Sequence, residues 1–141
     1  MNATILKFGY PATLVREFAH WLVLVRPGQV TLGSLVLAAK SDATAFGDLT
    51  QEAFSELAGV IAAIETGLKA LCGYERINYL MLMMVDPHVH CHVIPRYSGS
   101  RDWGGVVLTD HGWPGPPDLK SAADLSPSQI NALRDELQEL L

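Results

Sequence analysis

His88-Val89-His90-Cys91-His92-Val93-Ile94-Pro95-Arg96 is the stretch whose reading decides this chain. Three imidazoles alternate with small apolar side chains. In an extended strand successive side chains point to opposite faces, so His88, His90 and His92 line one side while Val89, Cys91 and Val93 line the other. A helix would set His88 and His90 about 200° apart, so the spacing predicts a strand with one polar, reactive face and one core face. Pro95 is expected to end its ladder, because it has no backbone N–H to donate.

Working outward, the flanking segments predict the partners of that strand. Ile77–Val85 (INYLMLMMV) reads as the preceding strand, joined to it by a short hairpin at Asp86-Pro87, with Met81, Met83 and Met84 as core filler. Upstream, 50–72 reads as a long helix. Thr50 or Asp48 is the N-cap, Phe54, Leu57, Ala58, Ile61, Ile64, Leu68 and Leu71 form its apolar stripe, and Gly73 stops it. Leu14–Phe18, His20–Val25 and Ser34–Ala39 read as three more strands, with a turn signature at Arg26-Pro27-Gly28-Gln29. Downstream, 98–117 reads as an irregular segment rich in Gly, Ser, Pro and Trp. Ser126, Pro127 and Gln129 then open a final helix carrying Ile130, Leu133, Leu137 and Leu140. The sum is an α+β fold: an antiparallel β-sheet of about five strands, a long helix packed on it and a C-terminal helix.

The chain has 141 residues and is read as one domain, 1–141, with an added loop and helix over about 98–141. A chain of this size buries roughly 68–70% of its unfolded surface, so no staple is needed. Cys72 and Cys91 form no C-x-x-C pair and read as buried small hydrophobes of a reducing compartment. No signal-peptide pattern opens the chain, and its longest apolar run is too short to cross a bilayer. A soluble, cytoplasmic protein with no membrane partner is expected. Net charge is −5, from ten Lys and Arg against fifteen Asp and Glu, with the cations scattered singly. That excludes a nucleic-acid groove, which needs clustered cations, but leaves room for one small phosphate.

The histidine face admits more than one chemistry. His20 and His111 read as ordinary surface or core residues, but three imidazoles on one face are costly to bury without a purpose. An H-x-H pair can present two nitrogens to a metal such as zinc, with Asp86, Asp110 or His111 completing the set. A neutral imidazole can equally attack phosphorus while its neighbours donate hydrogen bonds to the phosphoryl oxygens. A non-catalytic nucleotide-binding or partner-binding module is the third reading.

The segment resembles the H-φ-H-φ-H-φ-φ signature of the histidine triad family, and Pro95-Arg96 is similar to the pair of residues next to that signature in many nucleotide-hydrolase members. The resemblance extends to the strand at 21–25, Gly33-Ser34-Leu35-Val36-Leu37, Lys40, Asp48-Leu49-Thr50 opening the long helix, and Trp113-Pro114. It implies a homodimer acting on nucleotide phosphates such as dinucleoside polyphosphates or nucleoside phosphoramidates, through a nucleotidyl-histidine intermediate. On this resemblance His90 is the nucleophile, and His88 and His92 orient it and hold the phosphate. Arg96, Asp86, Ser34, Arg26 and Trp113 are the implied nucleotide and phosphate contacts. No cofactor or resident metal is implied, beyond a divalent cation carried by the nucleotide. The chain departs from the pattern in three places. Met84 and Val85 stand where relatives carry a Gln or Ser near the phosphate or leaving group, leaving Asp86 as the nearest polar substitute. Arg26 stands where relatives often place the Asp or Asn that binds the ribose, and Ser34 where many have a fourth histidine.

Overall fold

The computed structural model describes residues 1–141. A short helix, α1 (Ala3–Lys7), precedes β1 (Leu14–Glu17), β2 (Trp21–Val25), the two-residue β3 (Gly28–Gln29), β4 (Leu35–Ala39) and the long helix α2 (Gln51–Cys72). Then come β5 (Arg76–Leu80), β6 (His90–Arg96), β7 (Ser100–Trp103), β8 (Val106–Thr109), the short β9 (Ala123–Asp124) and α3 (Pro127–Leu140). Five strands form one antiparallel sheet in the order β1-β2-β4-β6-β5. The histidine-bearing strand therefore lies inside the sheet, next to the edge strand β5.

Side-chain alternation divides the core into two unequal layers. Trp21, Val23, Val25, Leu35, Leu37 and Val93 face the helices, where Val60, Ile64 and Leu68 of α2 and Ile130, Leu133 and Leu137 of α3 cover them. Leu22, Leu24, Val36 and Ala38 face the other way and are closed by Ile5 alone, with Phe8, Tyr10 and Leu14 at the margin. Burying a Leu, Ile or Val side chain contributes about 1.5–3 kcal/mol, so the helix side carries most of the stability. The thinly covered face is the one with room for a site. His90 pairs with Ala38 and His92 with Val36, which puts both imidazoles on that thin face beside small neighbours.

The helix ends follow the expected chemistry. Thr50 caps α2 by accepting from Ala53 N, and Gly73 closes it in the left-handed region at φ +57. Ser126 and Gln129 make both halves of the capping box that opens α3.

Five expectations are corrected. The β6 strand begins at His90, so His88 sits in the bend before it and not on the strand face. Pro95 does not end β6: the β4–β6 ladder stops at Leu35–Val93, and pairing with β5 runs on to Arg96, so no donor toward β4 is missed. The β5 strand stops at Leu80, and residues 81–89 form a long irregular connection instead of a tight hairpin; Met84 is 82% exposed and fills no core. The buried face of α2 is Ala53, Val60, Ile64, Gly67, Leu68 and Cys72, rotated from the expected stripe, which leaves Phe54 exposed and Leu57 and Ile61 half-buried. The segment after Tyr97 is not irregular throughout: β7 and β8 form a hairpin through Gly104-Gly105, whose φ values of +55 and +79 suit the mirror-image turn that matches strand twist.

Candidate active site

The geometry at His90 settles its tautomer. Its Nδ1 lies 2.7 Å from the backbone oxygen of His88, and a carbonyl oxygen can only accept, so Nδ1 carries the proton. In the neutral ring the lone pair is then left on Nε2. The bend that takes His88 off the strand is what brings its carbonyl back under the ring. The His92 ring stands edge-on to His90 at a centroid distance of 5.3 Å, and Phe8 backs both rings at 5.7 and 5.6 Å.

His92 is buried, with its Nδ1 lacking a hydrogen-bond partner. Burial pushes its pKa down to about 4, helped by the Arg26 charge and the neighbouring His90 ring and opposed by Asp86. It is therefore neutral at neutral pH. The His88 ring faces elsewhere: its Nδ1 is 2.8 Å from the Thr4 hydroxyl on α1. So the three histidines act on the site differently, two through their rings and His88 through its carbonyl and the tie to α1.

The rings of His90 and His92 open onto a pocket of about 230 Å³ whose remaining walls are Leu82, Met83, Met84, Val85 and Asp86. Met83 takes a left-handed backbone, φ +50, which is uncommon outside glycine. Asp86 is held by Lys7 of α1 in a 2.8 Å ion pair. Helix α1 thus supports the pocket at three points: Thr4 on His88, Phe8 on the rings and Lys7 on Asp86. These residues lay beyond the sequence reading, because a five-residue helix with one Asn2 cap carries no periodicity to identify its face.

The other residues singled out from the sequence are dispersed. Arg26 is half-buried on the histidine side of the sheet and has no carboxylate partner; burial lowers its pKa, and its side chain bonds back to Gly28 O. Ser34 is fully buried, donating to Thr31 O at 2.8 Å and accepting from Thr31 N at 3.0 Å, so its hydroxyl is committed to its own turn. Arg96 is buried against Asp110, with Nε and Nη2 donating to the carboxylate at 2.7 and 3.0 Å. It lies on the face of His92 but further along the strand, beyond Ile94 and away from the pocket. Trp113 borders a different and larger cavity of about 610 Å³, shared with Arg76, Asn78 and Arg96. Of the expected contacts, only Asp86 joins His90 and His92 in one pocket.

No three His, Cys, Asp or Glu side chains converge to hold a metal ion. Asp110, one of the expected third ligands, has both oxygens engaged by Arg96. Burial raises the Cys91 thiol to about 11, so it stays protonated on the core side of β6. No helix is long and apolar enough to cross a membrane.

No family model matches this sequence, and no curated protein does; the likeness lies in the structure. A histidine triad protein from Sinorhizobium meliloti superposes with a TM-score of 0.77 at 20% identity, covering 100% of this chain and 96% of that one. Another from Bradyrhizobium japonicum gives 0.74 at 18% identity over 99% and 95% of the two chains. A third, from Marinobacter aquaeolei, gives 0.73 at 24% identity over 91% and 87%. The fold is the histidine triad fold, with His90 and His92 on β6 and His88 in the bend just before it.

Proposed function

We propose that the protein is a nucleotide phosphate hydrolase or transferase whose nucleophile is His90 Nε2. The observation that carries this reading is the 2.7 Å bond from His90 Nδ1 to the His88 carbonyl, which keeps the lone pair on the nitrogen left free. Attack on the α-phosphorus of a dinucleoside polyphosphate or nucleotide conjugate forms an Nε2–P bond and expels the remainder of the substrate. Water then cleaves the nucleotidyl-histidine; in a transferase a second acceptor replaces water. His92 stays neutral, so its ring offers an N–H to a phosphoryl oxygen without placing a cation beside the nucleophile.

The same reading makes the protein a homodimer. Its support is the unpaired outer edge of β5 together with the displaced apolar stripe of α2. Leu57 and Ile61 line a cavity of about 440 Å³ with Trp21, Leu37 and Phe46, and with Tyr79 of the edge strand β5 and Met81 just after it. A paired sheet edge and a covered stripe would remove both liabilities at once.

The test is to mix the purified protein with a nucleotide conjugate radiolabelled at the α-phosphorus, quench rapidly and map the label. An acid-labile label on His90, with loss of turnover in His90→Ala, is the expected result. Turnover in His90→Ala at the wild-type rate would overturn the proposal.

A further inference from the structure

The pocket beside His90 is walled on its loop side by apolar groups, and those groups face solvent. Leu82, Met84 and Val85 are 49%, 82% and 84% exposed, and all three line the cavity that holds the histidine rings. Adjoining large apolar side chains exposed together on the wall of a pocket mark a binding surface more often than isolated ones do. Phe8 backs both rings on the α1 side, so the loop forms the open rim of the pocket. Whatever places a phosphorus atom at His90 Nε2 therefore lays its adjoining group across Leu82, Met84 and Val85.

The rim is also without a proton to give. Asp86 is its one ionisable side chain, and that carboxylate is engaged by the Lys7 ammonium at 2.8 Å. Leu82, Met83, Met84 and Val85 carry no side-chain donor at all. A group leaving across this rim meets no side-chain proton donor on the loop, which favours one that is stable as an anion.

We propose that the substrate is a nucleotide conjugate, not a dinucleoside polyphosphate, with a leaving group that is apolar and weakly basic, seated on Leu82, Met84 and Val85 and released without protonation by the enzyme; this rests on the proposed function above. The step balances simply. The His90 Nε2 lone pair forms the N–P bond, the P–O bond to the leaving group breaks, and its electron pair departs on that oxygen. Water then attacks phosphorus, the N–P pair returns to Nε2, and the proton from water passes to solvent.

The test uses the intact protein and two aryl esters of one nucleoside 5′-monophosphate, matched in leaving-group pKa, one aryl group uncharged and the other bearing a sulfonate. The uncharged ester should be favoured by about tenfold or more in kcat/KM, the scale of discrimination a small apolar pocket provides. Met84→Ser combined with Val85→Ser should collapse that ratio toward one, whereas Val107→Ser, also exposed but on the distant β8, should leave it in place. Over a series of esters, log kcat/KM should fall steeply with leaving-group pKa, with the same slope in Asp86→Asn. Equal rates for the two esters, a ratio unmoved by the double substitution, or a flat dependence in the wild type would each overturn the inference while the proposed function stands. A double variant that dissociates a dimer but keeps the ratio would assign the rim to a second copy of the chain, again overturning it. Absence of turnover with every ester and of any His90 adduct would instead remove the proposed function itself.

Discussion

Replacing Asp110 by Ala tests whether Arg96 belongs to the scaffold or to a ligand. The Asp110 carboxylate accepts four hydrogen bonds: from Arg96 Nε and Nη2 at 2.7 and 3.0 Å, and from the backbone N–H groups of Tyr97 and Gly112, both at 3.2 Å. The two side chains are only 4% and 1% exposed. Removing the carboxylate leaves a buried guanidinium with Asn78 Oδ1 and Gly115 O as its partners, neither of them charged. Breaking such a pair from one side costs about 3–5 kcal/mol. That is a large share of the roughly 5–15 kcal/mol that a domain has in total, and a fall in Tm on the order of 10 °C follows. Thermal and urea unfolding followed by circular dichroism measure it. Arg96→Met combined with Asp110→Leu should recover part of the loss: the unpaired buried charge is gone, while the Tyr97 and Gly112 N–H groups stay without their acceptor. If Asp110→Ala stays within about 1 kcal/mol of wild type, the pair is not the brace it is taken for, and Arg96 is free to meet a phosphate.

Three further outcomes are expected. His92→Ala should slow turnover by about 10²–10⁴, less than His90→Ala, and His88→Ala by less again because its backbone carbonyl remains; steady-state kinetics on one substrate rank the three. Thr4→Val frees the His88 ring and should lower turnover without a large loss of stability, which parallel kinetics and thermal melts distinguish. The third outcome concerns pH: the folded pKa of His92, about 4, lies below its ordinary value of about 6.5, so the unfolded chain binds the proton more tightly between those values. Stability from this group is therefore complete above about pH 6.5 and falls as pH drops toward 4, by on the order of 2 kcal/mol after allowance for solvent screening. Urea melts of wild type and His92→Gln at pH 7 and pH 4.5 should show the smaller pH dependence in the variant; equal dependence would refute the burial argument.

The fold was legible where two local rules agreed. At β6 the alternation of His90, Cys91, His92 and Val93 sorts side chains to two faces, and the sheet uses both. At α2 and α3 the caps Thr50, Gly73 and Ser126 mark the ends that the helices have. The reading failed where propensity and pairing disagree. Met81–Val85 is as apolar as a strand, but pairing between β5 and β6 stops at Leu80 and His92, and no neighbour continues it. The stripe read on α2 holds at Ile64 and Leu68 but not at Phe54 and Ala58, for a related reason: that helix is apolar on more than one face, and the position of the sheet, not periodicity, decides which face is buried. The site residues Thr4, Lys7 and Phe8 come from a helix too short to announce itself.

The mismatch at 81–86 coincides with the reactive end of the sheet, and the two are physically connected. An apolar, β-prone run left out of the ladder, with Met83 held at φ +50, costs free energy wherever it occurs. Here the cost is offset by ties from α1, through Lys7 to Asp86 and Thr4 to His88, which hold the half of the connection next to β6. Had Met81–Val85 continued the ladder, a short turn would have set His88 in the strand opposite β5. Its carbonyl could not then fold back onto His90 Nδ1, and the lone pair would no longer be assigned to Nε2. The long connection thus accompanies the 2.7 Å bond that leaves the lone pair on Nε2 of the proposed nucleophile. A local break in an otherwise consistent pattern is expected at a functional site, because consistency elsewhere supplies the stability that the break gives up.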